Sequence, residues 1–201
     1  MSARLLVRVG GLHTIDADLP SFRPTHLIGI LDPTMPEPAA YRLHPPDHEP
    51  LVLRFRDTEV GADSGPTPEH VEAMLAFFDQ RVFSAAAPGG RLFIHCHAGA
   101  SRSTATAYLA LVRQHGVGGA EAAFAELLRI TVKPWPNRRL VEFADAHLGA
   151  AGRLLAPLDA YRAAHPQRLR AYLRLHLRRA ECDPAYGEKL GMATWTVRPR
   201  A

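Results

Sequence analysis

The chain has 201 residues, of which 47% are hydrophobic, enough for one compact domain with a packed core. Its two cysteines exclude a disulfide framework, and the sequence has no apolar run long enough to span a membrane and no signal-peptide pattern at Met1, so a cytoplasmic location is expected. The net charge of +4 is uneven: residues 151–201 hold ten Lys/Arg against four Asp/Glu, and the remainder is slightly acidic.

Taken in chain order, residues 5–9 read as a strand, and so do residues 26–31, with a turn at 22–24 before them. Residues 32–50 contain six prolines and read as loop, with room for one helical turn at 38–42. Residues 51–56 form the next strand, with Leu51, Leu53 and Phe55 on one face. Thr67 and Pro68 make a helix start, and Val71, Leu75, Phe78 and Val82 mark its apolar face. Residues 91–94 read as a buried strand and residues 103–114 as an Ala- and Leu-rich helix ending near Gly116. A second helix covers 120–130 with Phe124, Leu127 and Leu128 inward. Asn137 caps a third, which stops at Gly149. Residues 152–164 and 166–180 read as two further helices, with stripes at Leu154, Leu155, Leu158 and Tyr161, and at Leu169, Tyr172 and Leu173. Residues 181–201 read as weakly ordered, with Trp195 available to pin the tail. Strands alternating with helices predict an α/β fold: a central, mostly parallel sheet flanked by helices, with additional C-terminal helices. The expected organisation is a catalytic domain over 1–150 and a basic helical extension over 151–201 packed on it.

Chemistry concentrates in the run His95, Cys96, His97, Ala98, Gly99, Ala100, Ser101, Arg102, Ser103. It places a thiol and a guanidinium at the two ends of a tight loop between a strand and a helix. Such a loop turns backbone N–H groups inward as an anion nest, and the helix N-terminus favours both a thiolate and a bound phosphate. Gly99 lets the backbone approach the anion, and Arg102 matches two phosphate oxygens at once. In this reading His97, Ala98, Gly99, Ala100, Ser101 and Arg102 bind phosphate, and Cys96 attacks phosphorus. Ser103 stabilises the sulfur as a leaving group, and His95 orients the loop from inside. His97 faces either substrate or solvent.

At these residues the chain resembles the cysteine-dependent protein tyrosine phosphatase superfamily, through its His-Cys-x5-Arg-Ser/Thr signature at His95, Cys96, Arg102 and Ser103. The loop interior Ala98, Gly99, Ala100, Ser101 resembles the dual-specificity branch, and the chain length resembles its compact bacterial members. The position of the motif argues against the low-molecular-weight phosphatases. The resemblance implies a tyrosine-phosphatase-like fold and hydrolysis through a phosphocysteine. It also implies a general-acid aspartate upstream that later acts as base, and charge stabilisation by arginine and backbone with no metal or other cofactor. Asp57, at the end of a strand and 39 residues before Cys96, is the expected acid; Asp63, 33 residues before it, is the alternative, and Glu59 is the third carboxylate of the region. The segment 58–66 is expected to be a flexible acid loop.

The expected substrate is a phosphorylated protein or a small phosphomonoester, above all phosphotyrosine, with phosphoserine and phosphothreonine open. The alternatives are a non-protein substrate (an inositol phosphate, a phospholipid or an RNA end) and a phosphate-binding module without turnover. Lipid- and inositol-directed members tend to carry loop lysines, and positions 97–101 hold none. Trp135 and Asn137 read as core packing and helix cap before they read as substrate wall and water positioner. The arginines at 168, 170, 174, 178 and 179 read first as a solvated helix face and second as a surface for an acidic partner. Cys182 reads as an incidental thiol, with redox pairing to Cys96 the less favoured reading. No nucleic-acid partner is expected, and the sequence leaves the oligomeric state open.

Overall fold

The computed structural model describes residues 5–59, 64–84 and 90–182, the side chains of Leu175 and residues 178–182 excepted. Among the described residues, four strands, β1 (Leu6–Gly11), β2 (His26–Leu31), β3 (Leu51–Arg54) and β4 (Arg91–Cys96), form one sheet in the order β1, β4, β2, β3. All the pairings are parallel. Every strand therefore ends at the same edge, and the register sets Gly11 opposite Cys96 there. Asp32 directly follows β2. That edge is where parallel α/β sheets place their ligands, because loops of different strands meet there.

Side chains alternate across a strand, so each inner strand feeds two cores. Leu27 and Phe93 face a small cluster with Ile15 and Leu19 of α1 (Ile15–Phe22) and Ala40 and Tyr41 of α2 (Ala40–Leu43). Ile28, Ile30, Leu92, Ile94 and Cys96 face the larger core. That core is closed by α3 (Pro68–Phe77), α4 (Arg102–His115), α5 (Ala120–Ile130), α6 (Arg138–His147) and α7 (Leu155–Ala164). Helix α4 is buried from Arg102 to Val112, which explains why the sequence makes it from small and apolar residues instead of an amphipathic stripe.

The sequence reading placed these elements closely, with informative differences. Helix α1 was not read, because it is eight residues long and carries Pro20 inside it. Thr67 caps α3 reciprocally with His70, and the helix continues as a wider π turn over Phe78–Val82. Leu128, read as inward, is exposed, because the inward face of α5 is completed by Ala120, Ala123, Phe124 and Leu127. Leu169, read as part of a buried stripe, is likewise exposed.

Beyond Gly149, whose φ is +58°, Ala151 also takes a left-handed conformation, at +53°. The Asp145 carboxylate then accepts from Gly152 N at 2.7 Å and Leu154 N at 2.9 Å, fixing the approach to α7. Leu154, Leu158 and Tyr161 pack into the large core, and Tyr161 donates to the Pro134 carbonyl at 2.8 Å. The last helix, α8 (Pro166–Cys182), packs against α7. No helix among the described residues is long and apolar enough to cross a membrane.

Candidate active site

The loop between β4 and α4 is shaped by two constraints. Gly99 has φ +70°, and a Cβ there would lie 2.7 Å from the Gly10 carbonyl oxygen, so both backbone conformation and space demand glycine. The loop carbonyls are engaged by the surrounding chain. His97 O accepts from Leu12 N at 3.0 Å, Ala100 O from Trp135 N at 2.8 Å, and Ser101 O from Asn137 N at 3.3 Å and Ala105 N at 2.9 Å. Thr104 Oγ1, one turn into α4, donates to the Ala100 and Ser101 carbonyls at 2.7 and 2.9 Å.

Cys96 is buried at the end of β4, and its Sγ lies 3.2 Å from Ser103 Oγ. His95 points into the structure, as read from the sequence. Tyr41 Oη hydrogen-bonds its Nε2, and Gly29 makes room, since a Cβ there would collide with the Tyr41 hydroxyl. Burial pushes the His95 imidazole down to about 4, so it is neutral at pH 7. His97 is only half-buried.

Among the described residues Arg102 is the largest fully buried side chain. Nη1 donates to Asp32 Oδ1 at 2.9 Å and to the Phe55 carbonyl at 2.5 Å. Among the described residues its Nε has no hydrogen-bond partner. Burial alone lowers the pKa of a guanidinium. Here Asp57, Cys96 and Asp32 outweigh that and raise it, so the group stays a cation.

Asp57 lies just beyond β3 and is buried against the loop. Its Oδ1 accepts from Ser101 Oγ at 2.7 Å and from Asn137 Nδ2 at 2.9 Å, while Oδ2 lies 3.8 Å from His176 Nε2 of α8. Asn137 is the helix cap read from the sequence, its Oδ1 accepting from Leu140 N at 3.2 Å, and its Nδ2 has a job that the sequence did not suggest, holding the acid segment through Asp57 and the Thr58 carbonyl at 3.2 Å. Within the segment 58–66, expected to be a flexible acid loop, Thr58 and Glu59 are tied to neighbouring elements, and residues 60–63 lie outside the described residues. Glu59 accepts from Arg138 N and from Arg162 Nη1 at 2.8 and 2.9 Å. Arg162 also donates to the Pro136 carbonyl and lies over the Trp135 ring. Trp135 is buried and meets the loop through its backbone. Asp63, the alternative acid, and Cys182, the second thiol, lie outside the described residues and side chains.

The structure thus brings together Cys96, Ser101, Arg102, Ser103 and Asp57, with His95 beneath. The sequence reading missed Asp32, Tyr41, the Glu59–Arg162 pair and His176. Only Asp32 left a local signal: a carboxylate directly after an apolar strand of a parallel sheet. Among the described residues, no three His, Cys, Asp or Glu side chains group as a metal site would require.

No family model and no curated protein matches the chain. Solved structures do. The chain is similar to a point variant of human DUSP28, at 19% identity and a TM-score of 0.53, over 73% of this chain and 90% of that one. It is similar to the PTP-2 phosphatase of Cydia pomonella at 19% identity and a TM-score of 0.51, over 70% and 84%. The α/β fold is therefore that of the dual-specificity and tyrosine phosphatases.

Proposed function

We propose that the protein is a cysteine-dependent phosphomonoester hydrolase of the tyrosine or dual-specificity type, acting on a phosphorylated protein or small aryl phosphate. The observation that carries this reading is Arg102: a fully buried cation beside Cys96 whose Nε has no partner among the described residues. A buried unsatisfied donor on a cation is costly unless a ligand completes it, and a phosphate oxygen is the matching acceptor. With the His97, Ala100 and Ser101 carbonyls bonded to the surrounding chain, the loop can turn its amides to the same anion.

In the first step Cys96 Sγ attacks phosphorus. The P–O bond to the leaving group breaks, and protonated Asp57 delivers its proton to the departing oxygen. In the second step water attacks the phosphocysteine, Asp57 takes a proton from that water, and the S–P bond breaks to release phosphate and restore the thiolate. Ser103, 3.2 Å from the sulfur, donates to it as it leaves. Arg102 and the loop amides hold the phosphoryl oxygens throughout.

The test is hydrolysis of p-nitrophenyl phosphate in EDTA across pH 5–8. Wild-type turnover should vanish in Cys96→Ser, and Asp57→Asn should remove the basic limb of the pH profile. Turnover that survives Cys96→Ser would overturn the proposal. So would a wild type that binds phosphate without turnover, which defines a binding module.

A further inference from the structure

The end of the sheet opposite Cys96 carries a second concave site. Arg91 begins β4 and Cys96 ends it, so the two lie roughly 17 Å apart along one strand. At the Arg91 end, an open cavity of about 460 Å³ lies between the end of α1, the loop after α2 and the start of β4. Small-molecule sites span roughly 300–1,000 Å³. None of its lining residues belongs to the phosphate loop or to the acid segment.

The three segments are tied together by hydrogen bonds. Thr25 N donates to the Arg91 carbonyl at 2.9 Å, and Arg91 N donates to Thr25 Oγ1 at 2.8 Å. His48 N donates to the Thr25 carbonyl at 3.1 Å, which seats the loop after α2 beside them. Two cations line the cavity. Arg23 ends α1 at φ +49°, a left-handed position where glycine is the usual residue. A charged side chain kept at a strained position is a mark of function. Arg91 Nε donates to the Arg23 carbonyl at 2.6 Å, so the two residues are held side by side. Neither guanidinium makes an ion pair among the described residues. Like charges held together are relieved by an anion shared between them, and a phosphate matches the arginine fork.

The rest of the lining narrows the ligand. Leu19 and the rings of Pro20, Pro24 and Pro45 supply apolar walls suited to a flat ring. Asp47 adds one carboxylate, an acceptor that repels a bare anion and rewards a ligand that also carries a hydrogen-bond donor. We propose that this cavity is a second binding site, distinct from the Cys96 loop, for a flat-ring phosphate of the nucleoside monophosphate class. Arg23 and Arg91 hold the phosphate, the proline walls hold the base, and Asp47 accepts from a sugar hydroxyl or base amino group.

The test is titration calorimetry on the full chain carrying Cys96→Ser, with AMP, adenosine, phenyl phosphate and inorganic phosphate as probes. AMP should bind at least about tenfold more tightly than adenosine or inorganic phosphate, since each lacks one half of the contacts. Inorganic phosphate binding as tightly as AMP would overturn ring recognition and with it the proposal. Adding Arg23→Gly should weaken AMP by about tenfold or more. Glycine takes the left-handed position without strain, so this variant keeps the fold. Binding at the Cys96 loop is common to both proteins and cancels in the comparison. An unchanged AMP affinity in Arg23→Gly would place all binding elsewhere and overturn the site. Asp47→Ala, an exposed position, is the second variant. It should reduce the preference for AMP over phenyl phosphate severalfold, because phenyl phosphate has the ring and the anion but no donor. An unaltered preference would overturn the role of Asp47 and the nucleotide class with it.

Discussion

The two halves of the candidate site are built in opposite ways. The nucleophile side is one uninterrupted segment, residues 95–103, whose shape follows from a strand end, one left-handed glycine and a helix start. The acid side is assembled from distant parts of the chain. Asp57 meets Ser101 across 44 residues and Asn137 across 80, Glu59 meets Arg162 across 103, and His176 comes from the last helix. A local segment can be read as a motif, since its geometry travels with it. An assembled group reads as an ordinary loop carboxylate until the fold supplies its partners. The C-terminal helices, which look like an appendage by composition, supply two of the contacts that seat the acid.

The sharpest way to break this contrast is at Arg102, where the halves meet. Its Nη1 is already committed to Asp32 and to the Phe55 carbonyl, so only a planar fork can also serve a phosphate. Arg102→Lys keeps the charge and loses the fork. Activity should fall by about 10³-fold, as when transition-state hydrogen-bond donors are removed elsewhere. Competitive inhibition by phosphate should weaken in parallel. A lysine variant within about tenfold of wild type would show that charge alone suffices and that the buried fork is structural.

Next in size is the support beneath the nucleophile, which should fail through stability before rate. His95 is buried neutral with a folded value of about 4 against an ordinary 6.5. The folded state binds fewer protons than the unfolded one, so stability is lost as pH falls from 6.5 toward 4. Between pH 7 and 5 the loss from this group is about 2 kcal/mol. Denaturant unfolding at both pH values should show that wild type loses this much more than His95→Gln, which cannot titrate. His26 and His70 are also shifted down, so the difference between the two proteins, not the wild-type curve alone, carries the result. Equal acid losses in both would mean that His95 is hydrated in the folded state.

What was legible in the sequence follows the same division. The apolar runs of β2 and β4 and the buried α4 were readable because each is dictated by its neighbours in the chain. So were Thr67 and Asn137 as helix caps and Gly99 as the turn residue. Asp57 was favoured over Asp63 from its place at a strand end and from family resemblance, without sight of Ser101 or Asn137. Tyr41 sits in a proline-rich stretch that carries no periodicity, so nothing local marked its partner His95, and the place of Asp32 at a strand end marks that residue without marking its partner Arg102. His176 lies on a helix whose many arginines favoured a solvated face, and Arg162 stands on α7 with nothing local to mark its partner Glu59. Residue type alone does not reveal which positively charged side chain turns inward. The fold decided it by packing Tyr161 and Tyr172 toward the core.

The smallest expected effect tests whether the C-terminal helices act on the acid or merely cover it. Glu59 and Arg162 are each part-buried, and their pair ties the residue two places after Asp57 to α7. Separate Glu59→Gln and Arg162→Met variants should each slow hydrolysis of a phosphomonoester with a poor leaving group by about tenfold, roughly what loosening a positioned acid costs. A good leaving group needs little proton transfer, so its hydrolysis should change far less. Inhibition by phosphate should stay constant, because the loop and Arg102 are untouched. The double variant should be no slower than either single one, since both remove the same tether. Additive losses, or equal losses on good and poor leaving groups, would mean that the pair supports the whole site through general stability. In that case the acid side would be as locally determined as the loop, and the contrast between the two halves would fall.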